Sequence, residues 1–478
     1  MQIYNTLAHK RQEFRSLGKG HVGIYSCGPT VYNYAHIGNM RPYIITDLLK
    51  RLLSRNGYSV MHVMNITDVG HLVSDANLGE DKIRLKAKQE HRSAHEVSEF
   101  YAKEFVKDLG LLNILMPDVM PKATDHVKEM LSLVNVLDKK GYIYRVRTGM
   151  YYDTSKFKDY GQLMGMTFKH LNDYLIAGAR VERAAGIRNT TDFAVWRFAP
   201  DGEKEMVWDS EYGRGFPGWH IECSAMSMRY LGEHFDIHTG GIDHLPIHHT
   251  NEIAQSEAAT GKRFVDYWLH VEFLQVDGRK MSKSLNNVYT LQDLIGKGFS
   301  PMDFRYFILS GYYRSQLNFT FEALENARNT LRTIYSCMER LHAAGAGGKD
   351  DAALTKRVKE LEGRFFSDLE KDLNTPMALS ALHMIIGEAN KALEKGISKH
   401  DSSELISALS DIDGVLGLGI SSHSGSASIP KEALRLVEER ERLRKERKFR
   451  EADAARKRLK EDYGLDIEDT PSGPVWHA

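Results

Sequence analysis

Four residues of metal-ligating type stand out in this chain: Cys27, Cys223, His248 and Glu252. His248 and Glu252 are four apart in "PIHHTNE", so on a helix both would project from one face. Two thiolates, an imidazole and a carboxylate form a mixed donor set that zinc accepts. Cys27 and Cys223 are distant in sequence, yet each borders a predicted strand end. The competing reading is packing, since a lone buried cysteine is usually a small apolar filler. His244 and His249 also compete with His248 for the imidazole place. Cys337 falls in a later helical run and reads as structural.

A second chemistry is phosphate binding. His36-Ile37-Gly38-Asn39 opens a helical run, and Lys280-Met281-Ser282-Lys283-Ser284 lies far downstream. The first pattern is short enough to recur by chance; the second is longer and more specific. Lys280 and Lys283 flank a serine-rich turn able to close over a triphosphate and stabilise a leaving pyrophosphate. A single surface lysine is normally a solvated charge. The two motifs gain weight from their order, on opposite halves of one expected sheet with an insertion between.

These residues need elements to hold them. "HVGIYS" predicts a buried strand, and Ile44, Ile45, Leu48, Leu49, Leu52 and Leu53 predict an amphipathic helix stopping at Gly57. "SVMHVMN" predicts the next strand, and "NITDVGH" (Asn65 to His71) places polar groups at its end. Strand, loop, helix and strand make a βαβ unit, whose ligands collect at the loops after the strands. Cys27 and His36 share the first such loop. Further on, "VEFLQV" predicts a strand running into the lysine loop, and helical patterning dominates to about Leu418 as four stacked helices. Ser421 to Ser428 has linker composition. The last stretch predicts a charged helix from Lys431 to Phe449, a second from Glu451 to Asp462, and a strand-like tail.

Composition bounds the rest. The 478 residues exceed one compact core and predict several modules. Hydrophobic content of 42% and charged content of 27% are those of an ordinary globular protein. Zero formal net charge confines any nucleic-acid surface to a local patch. Three cysteines are too few for a disulfide scaffold and suit a reducing, cytoplasmic setting. No segment has the pattern of a secretion signal or membrane span.

The chain resembles the class I aminoacyl-tRNA synthetases, and among them the cysteinyl-tRNA synthetase family. The resemblance runs through "CGPTVYNYAHIGNMR", "NITD", "FPGWHIECSAM", "HHTNEIAQSEA", "KMSKSLNN", "YRSQLN" and the closing "EDTPSGPVW". It implies an α/β fold: a Rossmann-type class I catalytic core with an inserted connective domain, a helical bundle and a small C-terminal anticodon-binding domain. The implied division is 1–112 and 216–262 for the two halves of the core, with 113–215 as the connective insertion. Residues 263–320 would carry the lysine loop and contact the tRNA stem, 321–420 form the bundle, and 430–478 bind the anticodon.

The resemblance also implies roles. It puts one zinc per chain on Cys27, Cys223, His248 and Glu252, selecting His248 over its neighbours. ATP, with Mg2+, would be met by His36, Gly38, Asn39 and Lys283, with His36, Lys280 and Lys283 catalytic. The family pattern has His where this chain has Asn39, which donates hydrogen bonds but carries no charge. Gly28, Thr67, Trp219, His238 and Asp243 are implied for the cysteine pocket, and Arg444, Asp469 and Trp476 for tRNA. The implied reaction activates L-cysteine with ATP and esterifies the end of tRNA(Cys). Zinc would select the thiolate, because a pocket measuring size alone separates close analogues by only ~10–200-fold. A monomer is expected. Two alternatives stand beside this: a ligase joining cysteine to an amino sugar, which would lack the terminal domain, and an inactive RNA-binding paralogue, which would need neither an intact "KMSKS" nor a complete zinc set. A zinc hydrolase is weaker, as "HExxH" is missing.

Overall fold

An N-terminal hairpin, β1 (Gln2–Asn5) and β2 (Lys10–Glu13), leads into the expected unit: β3 (His21–Ser26), α1 (Ile37–Arg55) and β4 (Ser59–Met64). The computed structural model describes residues 1–69, 82–178, 185–282, 285, 287–344, 347–423, 431–446, 448–463, 466–470 and 473–477. α1 buries the apolar face read from its spacing, with Ile44, Leu48, Leu49, Leu52 and Leu53 inaccessible to solvent. Two helices follow, α2 (Lys82–Glu90) and α3 (Ala94–Leu111).

An inserted layer then interrupts the core. It comprises α4 (Val127–Lys139), β5 (Ile143–Val146), β6 (Gly149–Tyr152), α5 (Phe168–Gly178), β7 (Phe193–Phe198) and β8 (Gly215–Pro217). Its strands pair antiparallel in the order β5-β6-β7-β8. Aromatic residues supply its core, where the rings of Tyr152 and Phe193 stack with centroids 5.0 Å apart.

The chain returns through α6 (Trp219–Leu231), β9 (Phe235–Gly241), α7 (Thr250–Thr260) and β10 (Val265–Val271). β9 and β10 join β3 and β4 in a parallel sheet of order β10-β9-β3-β4. β3 and β9 are neighbours although the insertion separates them. Their loops diverge at the carboxyl edge, opening the crevice where doubly wound sheets bind ligands.

After β10 come β11 (Leu274–Val276), β12 (Arg279–Lys280), α8 (Leu291–Gly296), α9 (Pro301–Ser310) and β13 (Leu317–Phe319). The expected single strand entering the lysine loop is corrected here: β11 and β12 form a hairpin. Asp277 and Gly278, both at positive φ (50° and 71°), make the two-residue turn that reverses the chain.

Contact density divides the chain into two compact units, Met1–Phe321 with Ser367–Pro376, and Glu322–Phe366 with Met377–Ala478. The second contains most of the four expected long helices, α10 (Phe321–Ala343), α11 (Ala352–Leu369), α12 (Thr375–Lys395) and α13 (Lys399–Leu416). Cys337 lies in the apolar stripe of α10, where burial pushes its thiol up to about 11, in keeping with a packing role. α14 (Lys431–Lys445) stops earlier than the sequence suggested, and α15 (Phe449–Tyr463) starts where the first helix was expected to end. The reversal is closed by the Lys448 N–H donating to the Leu443 carbonyl at 2.9 Å. A hairpin, β14 (Asp466–Thr470) and β15 (Gly473–His477), ends the unit. Among the described residues, no helix is long and apolar enough to cross a membrane.

Candidate metal centre and nucleotide loops

Cys27 directly follows β3, and its N–H donates to the Thr239 carbonyl of β9 at 3.4 Å. It therefore sits where the two neighbouring strands open. Cys223 was expected beside a strand end; it stands instead in the second turn of α6, because β8 stops at Pro217 and the helix starts at Trp219. His248 lies in a π-helical turn, Leu245–His249, that runs into α7, and Glu252 in the first turn of α7. Pro246 lacks an N–H, and the Thr250 hydroxyl donates to the Leu245 carbonyl at 2.7 Å, so the wide turn keeps its polar groups satisfied. Such π turns recur at functional sites.

All four side chains are buried, and their donor atoms lie within 4.8 Å of one another. The two sulfurs are 3.9 Å apart, Cys27 Sγ is 3.8 Å from Glu252 Oε1, and His248 Nε2 is 3.1 Å from the same oxygen. A tetrahedron with metal–sulfur bonds of ~2.3 Å has a sulfur–sulfur edge of about 3.8 Å, so the donor set fits zinc. A second set shares two of its members: Cys27, His238, His249 and Glu252. His249 Nε2 is 3.3 Å from Cys27 Sγ, and His238 Nε2 is 3.0 Å from Glu252 Oε2. Both adjacent histidines thus reach the centre, one in each set. Behind them, His249 Nδ1 meets His270 Nε2 at 2.8 Å, and His270 Nδ1 meets the Thr6 hydroxyl at 2.8 Å.

The electrostatics of the cluster favour a cation. Burial raises the Cys27 thiol well above its ordinary range, with Cys223 and Glu252 adding to the shift. Burial also opposes ionisation of Cys223, but its hydrogen bond with Cys27 and the charge of His248 bring it down to about 6. Against its own burial, His248 is raised to about 10 by Glu252 and Cys223. Burial works to raise Glu252, yet His238 and His248 hold it well below the carboxylate range. The buried sulfur and carboxylate donors thus gather around His248, an arrangement that a divalent ion would satisfy.

Of the residues implied for the cysteine pocket, Trp219 and His238 touch this centre, and Gly28 and Thr67 meet at Asn65 beside it. The Trp219 ring stacks on His248 with centroids 4.3 Å apart. The Gly28 N–H donates to Asn65 Oδ1 at 2.8 Å, and a Cβ at Gly28 would fall 1.6 Å from the Asn65 carbonyl oxygen, so no side chain fits there. Asn65 Nδ2 donates to Thr67 Oγ1 at 3.0 Å, and that hydroxyl donates to Glu222 at 3.1 Å. Asp243 is exposed just beyond β9, and its charge opposes the lowering of the His36 pKa by burial.

At the nucleotide end, His36 is the N-cap of α1. The Asn39 N–H donates to His36 Nδ1 at 3.2 Å, and the His36 N–H donates to Asn39 Oδ1 at 3.1 Å, a reciprocal capping box. Lys280 is exposed, its ammonium 5.3 Å from the Phe273 ring centre. Lys283 lies outside the described residues. In the second unit, Arg444 is half-buried on α14, Asp469 pairs with Pro474, and Trp476 with Ile467 across the terminal hairpin; the side chains of Asp469 and Trp476 lie outside the description. Asn65, with bonds to both Gly28 and the Cys223 thiol (3.7 Å), is a site residue the sequence reading passed over. Its place in "NITD", at the end of a parallel strand, was the available signal.

Known proteins are similar to this chain along most or all of its length. The family described as tRNA synthetases class I (C) catalytic domain matches residues 13–329, and a DALR domain matches residues 364–421. The chain is 42% identical to a cysteine–tRNA ligase of Treponema denticola, over 100% of this chain and 99% of that one. It is 42% identical to cysteine–tRNA ligase 1 of Burkholderia lata, over 99% and 96%. Its fold is similar to that of Mycobacterium tuberculosis methionyl-tRNA synthetase in complex with methionyl-adenylate, with TM-score 0.63, 17% identity, and coverage of 85% and 93%.

Proposed function

The chain belongs to the class I tRNA synthetases of the cysteine branch, and on that premise we propose that it is the ligase joining L-cysteine to tRNA(Cys) with ATP. The observation that carries the choice of amino acid is the buried donor set of Cys27, Cys223, His248 and Glu252 beside the His36 loop. Those four residues would hold zinc, which supplies a soft Lewis acid favouring a thiolate over a hydroxyl.

The steps follow from what the chain's own residues can do. Thr67, His238 and Asp243 orient the polar groups of cysteine, and Trp219 walls the pocket. A cysteine carboxylate oxygen attacks the α-phosphorus of Mg2+-bound ATP; the new C–O–P linkage forms as the α–β bridge bond breaks and pyrophosphate leaves. His36, Lys280 and Lys283 stabilise the charge moving onto the departing phosphates. The terminal adenosine hydroxyl of tRNA then attacks the activated carbonyl, AMP departs, and the hydroxyl proton goes with it to solvent. Catalysis is positioning and electrostatics, with no covalent enzyme intermediate. Arg444, Asp469 and Trp476 are assigned to the anticodon, where unstacked bases are read by stacking and edge hydrogen bonds.

ATP–pyrophosphate exchange with cysteine and with serine tests the reading. Exchange that depends on cysteine, with serine giving little, is the expected result; equal exchange with both overturns the assigned selectivity.

A further inference from the structure

Arg41 is fully buried one turn into α1. Its Nη1 donates to the backbone carbonyls of Glu272 (2.7 Å) and Phe273 (2.8 Å), and its Nη2 to those of Tyr312 (3.1 Å) and Ser315 (2.8 Å). Glu272 and Phe273 join β10 to β11, the strand whose hairpin partner ends at Lys280. Tyr312 and Ser315 lie on the return path from α9 to β13, which pairs parallel with β11. The same two segments are stitched directly: the Glu272 N–H donates to Tyr313 O at 2.9 Å, and the Leu317 N–H to Phe273 O at 3.2 Å. The guanidinium therefore fills the root of the Lys280 hairpin and ties both of its flanks to the helix that His36 caps.

The choice of residue is informative. Filling this space alone would suit an apolar side chain, because burying a cation is costly unless its donors are paired; here Nη1 and Nη2 are paired and Nε is not. Only arginine offers a planar fork that reaches two pairs of carbonyls at once; a lysine has three donors radiating from one point. The Glu272, Tyr312 and Ser315 carbonyls belong to connecting segments, while Phe273 O also accepts the Leu317 N–H at the start of the β11–β13 ladder. Burial lowers the Arg41 pKa to about 10, with the charge of Glu272 opposing, so the group remains cationic at neutral pH.

We propose that Arg41 is a positioning residue for amino-acid activation, holding the Lys280 hairpin at a set distance from His36 so that both phosphate-facing groups act on one ATP. This rests on the functional reading above.

The test compares Arg41→Lys and Arg41→Met with the wild-type chain. The kcat of ATP–pyrophosphate exchange is expected to fall on the order of ten- to a hundredfold, as for reacting groups misplaced by up to about 1 Å. The KM for cysteine and the absorption spectrum of the Co2+-substituted protein should not move, because the metal cluster is built on other elements. Hydrogen exchange should accelerate at the amides of Glu272 and Leu317. If Arg41→Met does not fold, Arg41→Lys decides alone. A kcat within about twofold of wild type, or a cysteine KM and cobalt spectrum that shift along with kcat, overturns the proposal. If the wild-type chain shows no cysteine-dependent exchange, the functional reading has failed; unchanged amide protection in Arg41→Lys instead refutes the tie itself.

Discussion

A side-chain carbon added at Gly38 would lie 2.1 Å from Cε of Met281, so the first turn of the HIGN helix and the lysine loop meet at this point. It would also lie 3.1 Å from Nδ1 and 3.2 Å from Cε1 of His36. The Met281 tip is flexible and can withdraw; the His36 ring is held by its cap and cannot do so freely.

Gly38→Ala should therefore separate stability from activity. The alanine preference of about 1 kcal/mol within a helix and the disturbed His36 cap oppose each other in this first turn, so the melting temperature should change little. The kcat/KM for ATP in pyrophosphate exchange should fall on the order of tenfold, because His36 is displaced. Combining it with Met281→Ala tells the two clashes apart: full recovery in the double variant would assign the loss to Met281 instead.

Cys223→Ser is expected to lower bound zinc, measured by metal analysis, and to reduce cysteine-over-serine selectivity by roughly 10- to 100-fold or more. The KM for ATP should stay close to wild type. Reconstitution with Co2+ adds an independent readout, since loss of one thiolate weakens the sulfur-to-metal charge-transfer band. Stoichiometric zinc with normal selectivity in this variant would remove Cys223 from the donor set. His248→Ala and His249→Ala, assayed for metal content alone, decide between the two overlapping sets.

His62 gives a pH-dependent contribution to stability. It is buried against the Ser26 hydroxyl at 2.8 Å, and burial, aided by the charge of Lys50, lowers its pKa to about 3. The native state keeps it neutral, whereas the unfolded chain protonates it near 6.5. Its contribution is thus intact above about pH 6.5 and lost as pH falls toward about 3, by roughly 1.4 kcal/mol per unit. Replacing it with Gln should flatten the decline of stability between pH 6.5 and 5, followed by urea unfolding. Identical slopes for both proteins would show that His62 titrates normally.

How far the sequence carried depended on the kind of signal. The βαβ unit around Cys27 was legible because period-3.6 burial on α1 is flanked by apolar strand runs, and the structure buries those same residues. The Lys280 hairpin was not, since its turn is an Asp277-Gly278 pair inside a run that otherwise reads as one strand. His248 and His249 could not be separated by helical spacing, because each reaches one of two overlapping donor sets that share Cys27 and Glu252. Arg41 went unremarked in the sequence, yet it sits four residues from both Ile37 and Ile45, on the buried face. Helical spacing alone puts it on that face, but spacing does not say which carbonyls a buried guanidinium will meet.

Ending the chain after His423 removes α14, α15 and the terminal hairpin. Exchange of pyrophosphate with cysteine should remain within about twofold, because no group assigned to the chemistry is lost. Aminoacylation should fall mainly through a higher KM for tRNA(Cys), and sensitivity to anticodon substitutions should disappear. Full charging with intact anticodon preference would make the last segment structural.

Asn39 is where this chain departs from the class pattern, and its hydrogen bonds suggest what the amide does. The Asn39 N–H donates to His36 Nδ1, which requires a lone pair there and leaves the proton of a neutral imidazole on Nε2. Burial lowers the His36 pKa and favours that neutral form. Asn39 Oδ1 accepts the His36 N–H, fixing the backbone from which the ring projects. Asn39→Ala removes that acceptor and should cost about 0.5–2 kcal/mol of stability, the usual range for a lost cap. Asn39→Asp keeps an acceptor and adds a charge favourable at a helix N-terminus, so its melting temperature should match or exceed wild type. The same charge facing ATP phosphates should raise the KM for ATP. Thermal unfolding and exchange kinetics on the two variants therefore move apart, Ala losing stability and Asp losing nucleotide affinity. If Asn39→Asp unfolds as early as Asn39→Ala, the reciprocal cap is not what the amide supplies.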